Sequence, residues 1–160
     1  MEDKRYNLRY MAKLVVEDNR LYEKDLNKKG YKYIAGCDEA GRGPLCGPVV
    51  AAAVILPNDY QLDGLTDSKQ LSEKKRNYYF DIIKKDAISY GIASVSAKLI
   101  DEINIYEASR LAMLNALEKL DIKPDYVITD AMPLPSIKNS LPIIKGDAKS
   151  ITIAAASVLA

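Results

Sequence analysis

Histidine is absent from this chain. That excludes Ser-His-Asp and Cys-His nucleophile systems, and histidine as a general base. Any enzymatic chemistry must rest on carboxylates, lysines or metal ions. Long apolar runs are absent too: no window approaches the ~18 residues of a membrane helix. Cysteine is scarce, with only Cys37 and Cys46, and two thiols without histidine do not make a zinc site. Their spacing allows a disulfide, but the expectation is a reduced, cytoplasmic chain. The opening MEDKRYNLRYMAKL is too charged for a secretory signal. An excess of one charge is missing as well. At a net +1, bulk electrostatics neither announce nor exclude a nucleic-acid partner, so any basic surface must be a local patch. No internal repeat, low-complexity tract or linker interrupts the chain. What is present, 160 residues with 48% hydrophobic and 28% charged content, suits one globular domain with a real core.

The centre of the sequence is Tyr31–Pro57, which reads as strand, glycine turn, strand. The first strand runs from Tyr31 to about Cys37 and delivers Asp38 and Glu39 at its end. The second, about Gly47–Leu56, is almost wholly apolar and mostly small, which predicts burial on both faces. Before them, residues 1–29 read as an amphipathic helical extension, with Gly30 placed as its C-terminal cap. After them come a loop over 57–71 and a helix capped by Ser72 and running to about Asp86. Ala87–Ala97 reads as strand three, Asp101–Leu120 as mostly helix, Asp125–Thr129 as strand four and Leu141–Lys145 as strand five. An alanine-rich helix follows from Lys149. This order predicts a mixed sheet with helices on its faces, and polar residues at strand ends then converge on one crevice.

Three acids recur at equivalent places. Asp38, Asp130 and Asp147 each sit just past the carboxyl end of an apolar strand. Singly, each has a bland explanation: a turn former, or for Asp147 an N-cap. Together with Glu39, and without histidine, they point to a metal centre. Clustered carboxylates cannot all ionise without a counter-charge, and all-oxygen ligation favours Mg²⁺ or Mn²⁺. Two such ions suit in-line displacement at phosphorus, one activating the water and the other stabilising the leaving oxygen. Neighbouring strand residues point to opposite faces. So either the strand ends at Asp38 and the turn redirects Glu39, or Glu39 acts through its backbone carbonyl or a water. Asp38 is then the shared ligand.

The glycines of Gly41-Arg42-Gly43 allow positive φ and close approach of a ligand, and Arg42 can reach a phosphate. The loop Thr66-Asp67-Ser68-Lys69 either returns to the site or caps the next helix. Lys145 and Lys149 flank Asp147 and face either phosphates or water. The KKR and KK runs between 74 and 85 suit a solvated face, or a hold on duplex backbone.

DEAGRGPLCGPVVAAAVIL, TDSKQLS, DEINIYEASRLAML, YVITDA and KGDAKSITIAAASVLA, in that order, resemble ribonuclease HII from about Gly30 to the last residue. GRG, in place of a GTG-like variant, points to type HII over HIII. The resemblance implies an α/β ribonuclease H-like fold, a five-stranded mixed sheet of order 3-2-1-4-5 flanked by helices. It implies a two-metal site on Asp38, Glu39, Asp130 and Asp147, taking Mn²⁺ or Mg²⁺. It implies hydrolysis of the RNA strand of RNA–DNA hybrids and nicking 5′ of ribonucleotides embedded in DNA, as in ribonucleotide excision repair. The products carry 3′-hydroxyl and 5′-phosphate ends. The family's GRG backbone recognises the ribose 2′-hydroxyl, a role that falls on Gly41, Arg42 and Gly43; Ser68, Lys69, Lys145 and Lys149 are further candidates for substrate contact. A monomer without a membrane association is expected. In the family the last helix continues into a Lys-Val-x-Arg-Asp segment and further helices, which supply a tyrosine at the substrate junction. This chain stops at Ala160. The expectation is therefore a catalytic domain over 30–160 lacking those helices, with weakened duplex binding; the alternative is a catalytically weak hybrid-binding module.

Overall fold

The computed structural model describes residues 18–41, 47–66 and 68–160. Most of the expected N-terminal extension lies outside them; the described part is α1, Leu21–Lys28. Its end follows the sequence signal. Gly30 takes φ 98°, its N–H donates to the Asn27 carbonyl, and the Tyr31 N–H reaches back to Leu26. That pair of bonds is the Schellman closure, which stops the helix and turns the chain into the sheet.

β1 (Ile34–Ala40) and β2 (Val49–Ile55) pair antiparallel, with Ala35 opposite Ile55 and Ala40 opposite Val50. β3 (Ser89–Val95) pairs antiparallel with β2. β4 (Tyr126–Asp130) joins β1 in parallel, and β5 (Ser140–Ile143) joins β4 in parallel. The strand order is β3-β2-β1-β4-β5, as the resemblance implied. β1 is thus central, with an antiparallel neighbour on one side and a parallel one on the other.

The helices are α2 (Glu73–Asp86), α3 (Ala97–Ile103), α4 (Ile105–Glu118), α5 (Gly146–Lys149) and α6 (Ile151–Leu159). α4 covers one face, where Ala108, Ala112, Met113 and Ala116 meet Ala35, Cys37, Ala51 and Ala53. α6 and α2 cover the other, where Ala155 and Ile83 meet Ala52 and Val54. A strand covered on both sides has no polar face to show, which is why VVAAAVI carries no alternation.

Two expected helices are broken in the structure. The helix expected over 101–120 splits at Asn104, whose backbone is left-handed at φ 75°. The Asn104 side chain accepts the Glu107 N–H at 3.0 Å and starts α4. The Asn-x-x-Glu spacing was the available sign of a capping box. The helix expected from Lys149 starts at Gly146, breaks at Ser150 and resumes as α6. Ser72 caps α2 as expected, its Oγ accepting the Lys75 N–H at 3.2 Å.

α6 lies directly on β1. A Cβ added at Gly36 would stand 2.6 Å from the Thr152 carbonyl carbon and 2.8 Å from the Ile153 nitrogen. Both atoms are helix backbone, so the helix itself must lift. Gly36→Ala is expected to destabilise the chain by about 2–3 kcal/mol, read as a shift in the denaturant midpoint. An unchanged midpoint would show that α6 is not seated on β1 as described.

Candidate metal centre

The parallel β1–β4 ladder does most of the work. Its last registered pair is Cys37 opposite Thr129. One residue further, Asp38 and Asp130 come side by side on the same face, at the spacing of neighbouring strands. The Gly36 contact with α6 tells which face: Asp38, two residues on, also leaves toward the α6 side.

The third acid needs a turn. After β4 the chain is held tightly: the Ala131 N–H donates to Thr129 and Ile143 carbonyls, Ala131 has φ 60°, and the Thr129 hydroxyl donates to the Met132 carbonyl. β5 then brings Ile143 beside Asp130. Lys145 turns the chain in a left-handed conformation, φ 55° and ψ 41°. The following Gly146 N–H donates to Asp130 Oδ1 at 2.9 Å. α5 starts there and carries Asp147 inside its first turn, not at its N-cap, so the bland capping explanation does not hold.

One carboxylate oxygen from each of Asp38, Asp130 and Asp147 lies within 4.8 Å of the others. At that separation two negative charges repel by about 3 kcal/mol with an effective dielectric near 20. Asp38 bears the consequence, because it is only 5% exposed. Burial first, then the charges of Asp130, Glu39 and Asp147, push its carboxyl from 3.8 up to about 9; the Glu39 N–H, donating to Asp38 Oδ1 at 2.8 Å, opposes them. One buried and two half-buried carboxylates, all oxygen donors, fit a hard divalent cation.

Of the two alternatives for Glu39, the structure removes the one in which the strand ends at Asp38. β1 does not end near Cys37. It runs through Glu39 and Ala40, which pair with Ala51 and Val50. The antiparallel partner keeps the strand regular, so Glu39 leaves the face opposite to Asp38 and shares the side of Ala35 and Cys37. It is half-buried, and among the described residues the cluster of close ligand atoms comprises the three aspartates without it. Cys37 is a buried free thiol, pushed up by burial and by Asp38 and Glu39, and so is poorly nucleophilic.

Of the residues expected at the substrate, Gly41 has φ 97°, and a Cβ there would overlap the Pro48 carbonyl oxygen. The turn demands glycine on both counts. Arg42 and Gly43 lie outside the described residues, as does Cys46. Ser68 and Lys69 sit in a 3-10 turn over Ser68–Gln70, and the Ser68 N–H donates to Ser157 Oγ on α6 at 2.9 Å. That bond ties the loop to α6 near the helix's C-terminal end. Lys69, Lys145 and Lys149 are exposed. Sequence reasoning missed Glu23, a buried carboxylate on α1 that accepts the hydroxyls of Ser150 and Thr152.

The family model for ribonuclease HII matches residues 35–160. Among curated relatives, the ribonuclease HII of Listeria innocua is 57% identical over 149 residues, 93% of this chain and 56% of that protein. That of Bacillus subtilis is 56% identical over 139 residues, 87% of this chain and 54% of that protein. The chain spans about half the length of the curated relatives it matches. The crystal structure of the ribonuclease H2 from Pyrococcus horikoshii is similar with a TM-score of 0.68 at 30% identity, covering 79% of this chain and 69% of that one. The clustered acids, the sheet order and these likenesses agree: the chain belongs to the ribonuclease HII family.

Proposed function

We propose that this chain carries the catalytic centre of a metal-dependent endoribonuclease. Its substrates are RNA–DNA hybrids and DNA duplexes with embedded ribonucleotides, nicked 5′ of the ribonucleotide to leave 3′-hydroxyl and 5′-phosphate ends. The observation that carries this is the convergence within 4.8 Å of Asp38 inside β1, Asp130 at the end of β4 and Asp147 in the first turn of α5. These three would hold two Mg²⁺ or Mn²⁺ ions, with Asp38 shared and Glu39 as the fourth acid. From the opposite face, Glu39 would contribute through its backbone carbonyl or a water. When bound, the ions would supply charge neutralisation at the scissile phosphate and a water acidic enough to attack near neutral pH.

The chain's own residues do the rest. Asp130 is oriented by the Gly146 N–H, which leaves its second oxygen for the centre. Gly41, which its positive φ and the Pro48 carbonyl oblige to be glycine, would present its backbone to a ribose 2′-hydroxyl. That hydroxyl is what separates RNA from DNA at one position. Arg42 and Gly43 complete this reader in sequence. Lys145 and Lys149, on either side of Asp147, and Lys69 with Ser68 would meet phosphates by charge and hydrogen bonding. With no histidine in the chain, direct hydrolysis without a covalent enzyme intermediate is the simplest chemistry.

The test is a duplex with one embedded ribonucleotide, incubated with Mn²⁺, Mg²⁺ or a chelator. The expected result is a single metal-dependent nick, none with the chelator and none on an all-DNA duplex. Cutting of the all-DNA duplex would point to another nuclease of the same fold. Duplex binding without nicking would point to a hybrid-binding module, the alternative raised by a match to only about half of each relative.

A further inference from the structure

Glu23 lies on α1, far in sequence from Asp130 and Asp147, and is 6% exposed. A carboxylate in so dry a place is costly unless its hydrogen bonds serve a purpose. Its Oε1 accepts the hydroxyl of Ser150, and that of Thr152 at 3.0 Å. Ser150 is the joint between α5, which carries Asp147, and α6; its backbone is extended there, with φ −127° and ψ 126°. Its Oγ accepts the Ile153 N–H at 3.1 Å, and its own N–H donates to the Gly146 carbonyl at 2.8 Å. A hydroxyl has a single proton. With that proton committed to Glu23, the oxygen's lone pairs are free to cap α6. One residue further, the Ile151 N–H donates to the Asn19 carbonyl at 2.7 Å, so a second bond ties the same corner to the start of α1.

α5 is a single turn of four residues, and one isolated turn does not hold its own shape in water. Its place is set from outside at both ends. At one end Asp130 accepts the Gly146 N–H. At the other end stands Ser150.

We propose that Glu23 is a positioning residue for Asp147: through Ser150 it fixes the corner between α5 and α6, and with it the place of Asp147 beside Asp38 and Asp130. This rests on the metal-centre assignment above. The experiment measures Mn²⁺ affinity by calorimetric titration, without substrate, for this chain and three variants, with thermal melts alongside. Glu23→Ala is expected to weaken Mn²⁺ binding by about tenfold or more, the range seen when partners that orient metal ligands are lost. Glu23→Gln keeps an oxygen that accepts a hydroxyl, and should restore affinity to within about threefold of the parent. Leu26→Ala loosens the same helix from the cluster of Ile34, Ile128, Ile143 and Ile153 while leaving every hydrogen bond of Ser150 in place. It should lower the melting midpoint yet keep the parent affinity. Parent affinity in Glu23→Ala, equal losses in Leu26→Ala and Glu23→Ala, or no recovery in Glu23→Gln would each overturn the proposal. A parent chain that binds no Mn²⁺ is a different result: it removes the metal centre itself, and this role with it.

Discussion

Asp38→Asn is expected to cut ribonucleotide-dependent nicking about 10³-fold while raising the melting midpoint of the metal-free chain. The two effects have one origin. Asp38 is the most buried of the three clustered aspartates, and its carboxyl is pushed up to about 9 by burial and by its acidic neighbours. At pH 7 the metal-free fold must therefore keep a proton on a group that the unfolded chain would release. The amide carries no such cost. It can still accept the Glu39 N–H, and its own N–H groups face carboxylate oxygens. A gain of a few kcal/mol follows, or roughly 5–10 °C in a chain of this size. Activity moves the other way, because a preorganised charge at a reacting phosphate contributes about 10²–10³ in rate or more. Calorimetry in chelator and a nicking assay in Mn²⁺ read the two halves. A lowered melting midpoint in the variant would mean that the carboxyl is stabilising where it stands, and the electrostatic account of the centre would fail.

The second large effect is a pH dependence that metal cancels. Asp38's folded value is raised above 3.8. Its contribution to stability is therefore complete below that value and is lost as pH rises toward about 9. Within that window the metal-free chain should lose up to about 1.4 kcal/mol per pH unit from this group. Glu23, raised by burial, adds a slope of the same sign. Asp18 and Asp125 are lowered, by the Lys24 side chain and by backbone N–H groups of residues 32 and 33, so their contributions fade only at acid pH. Denaturant midpoints between pH 5 and 9 should thus fall with pH in chelator. In saturating Mn²⁺ the fall should shrink or reverse, since binding releases the Asp38 proton. Titrations in buffers of different ionisation heat should count about one proton released at pH 7. A flat profile in chelator would refute the raised value.

Much of this was legible in the residues themselves. Asp38, Asp130 and Asp147 could be found because each follows an apolar run, and parallel strands place such ends side by side. Gly30 and Ser72 declared the helix limits they control, because caps are local. Failures came where the deciding partner was distant. Nothing within β1 says that Glu39 and Ala40 stay in the ladder; Ala51 and Val50 on β2 hold them there. Nothing in the charged run around Glu23 marks it for burial; Ser150 and Thr152, far along the chain, take it in. The break at Asn104 is a different kind of miss. Its capping spacing, Asn-x-x-Glu, lies within the sequence itself.

The seating of α6 on β1 has a consequence for synthesis. Gly36 meets Thr152, so the central strand receives its cover only after more than a hundred further residues have left the ribosome. At usual elongation rates that is a wait on the order of ten seconds. Throughout it, the face of β1 that α6 will cover stays bare, and transiently exposed apolar surface of that kind is what makes a nascent chain prone to aggregate.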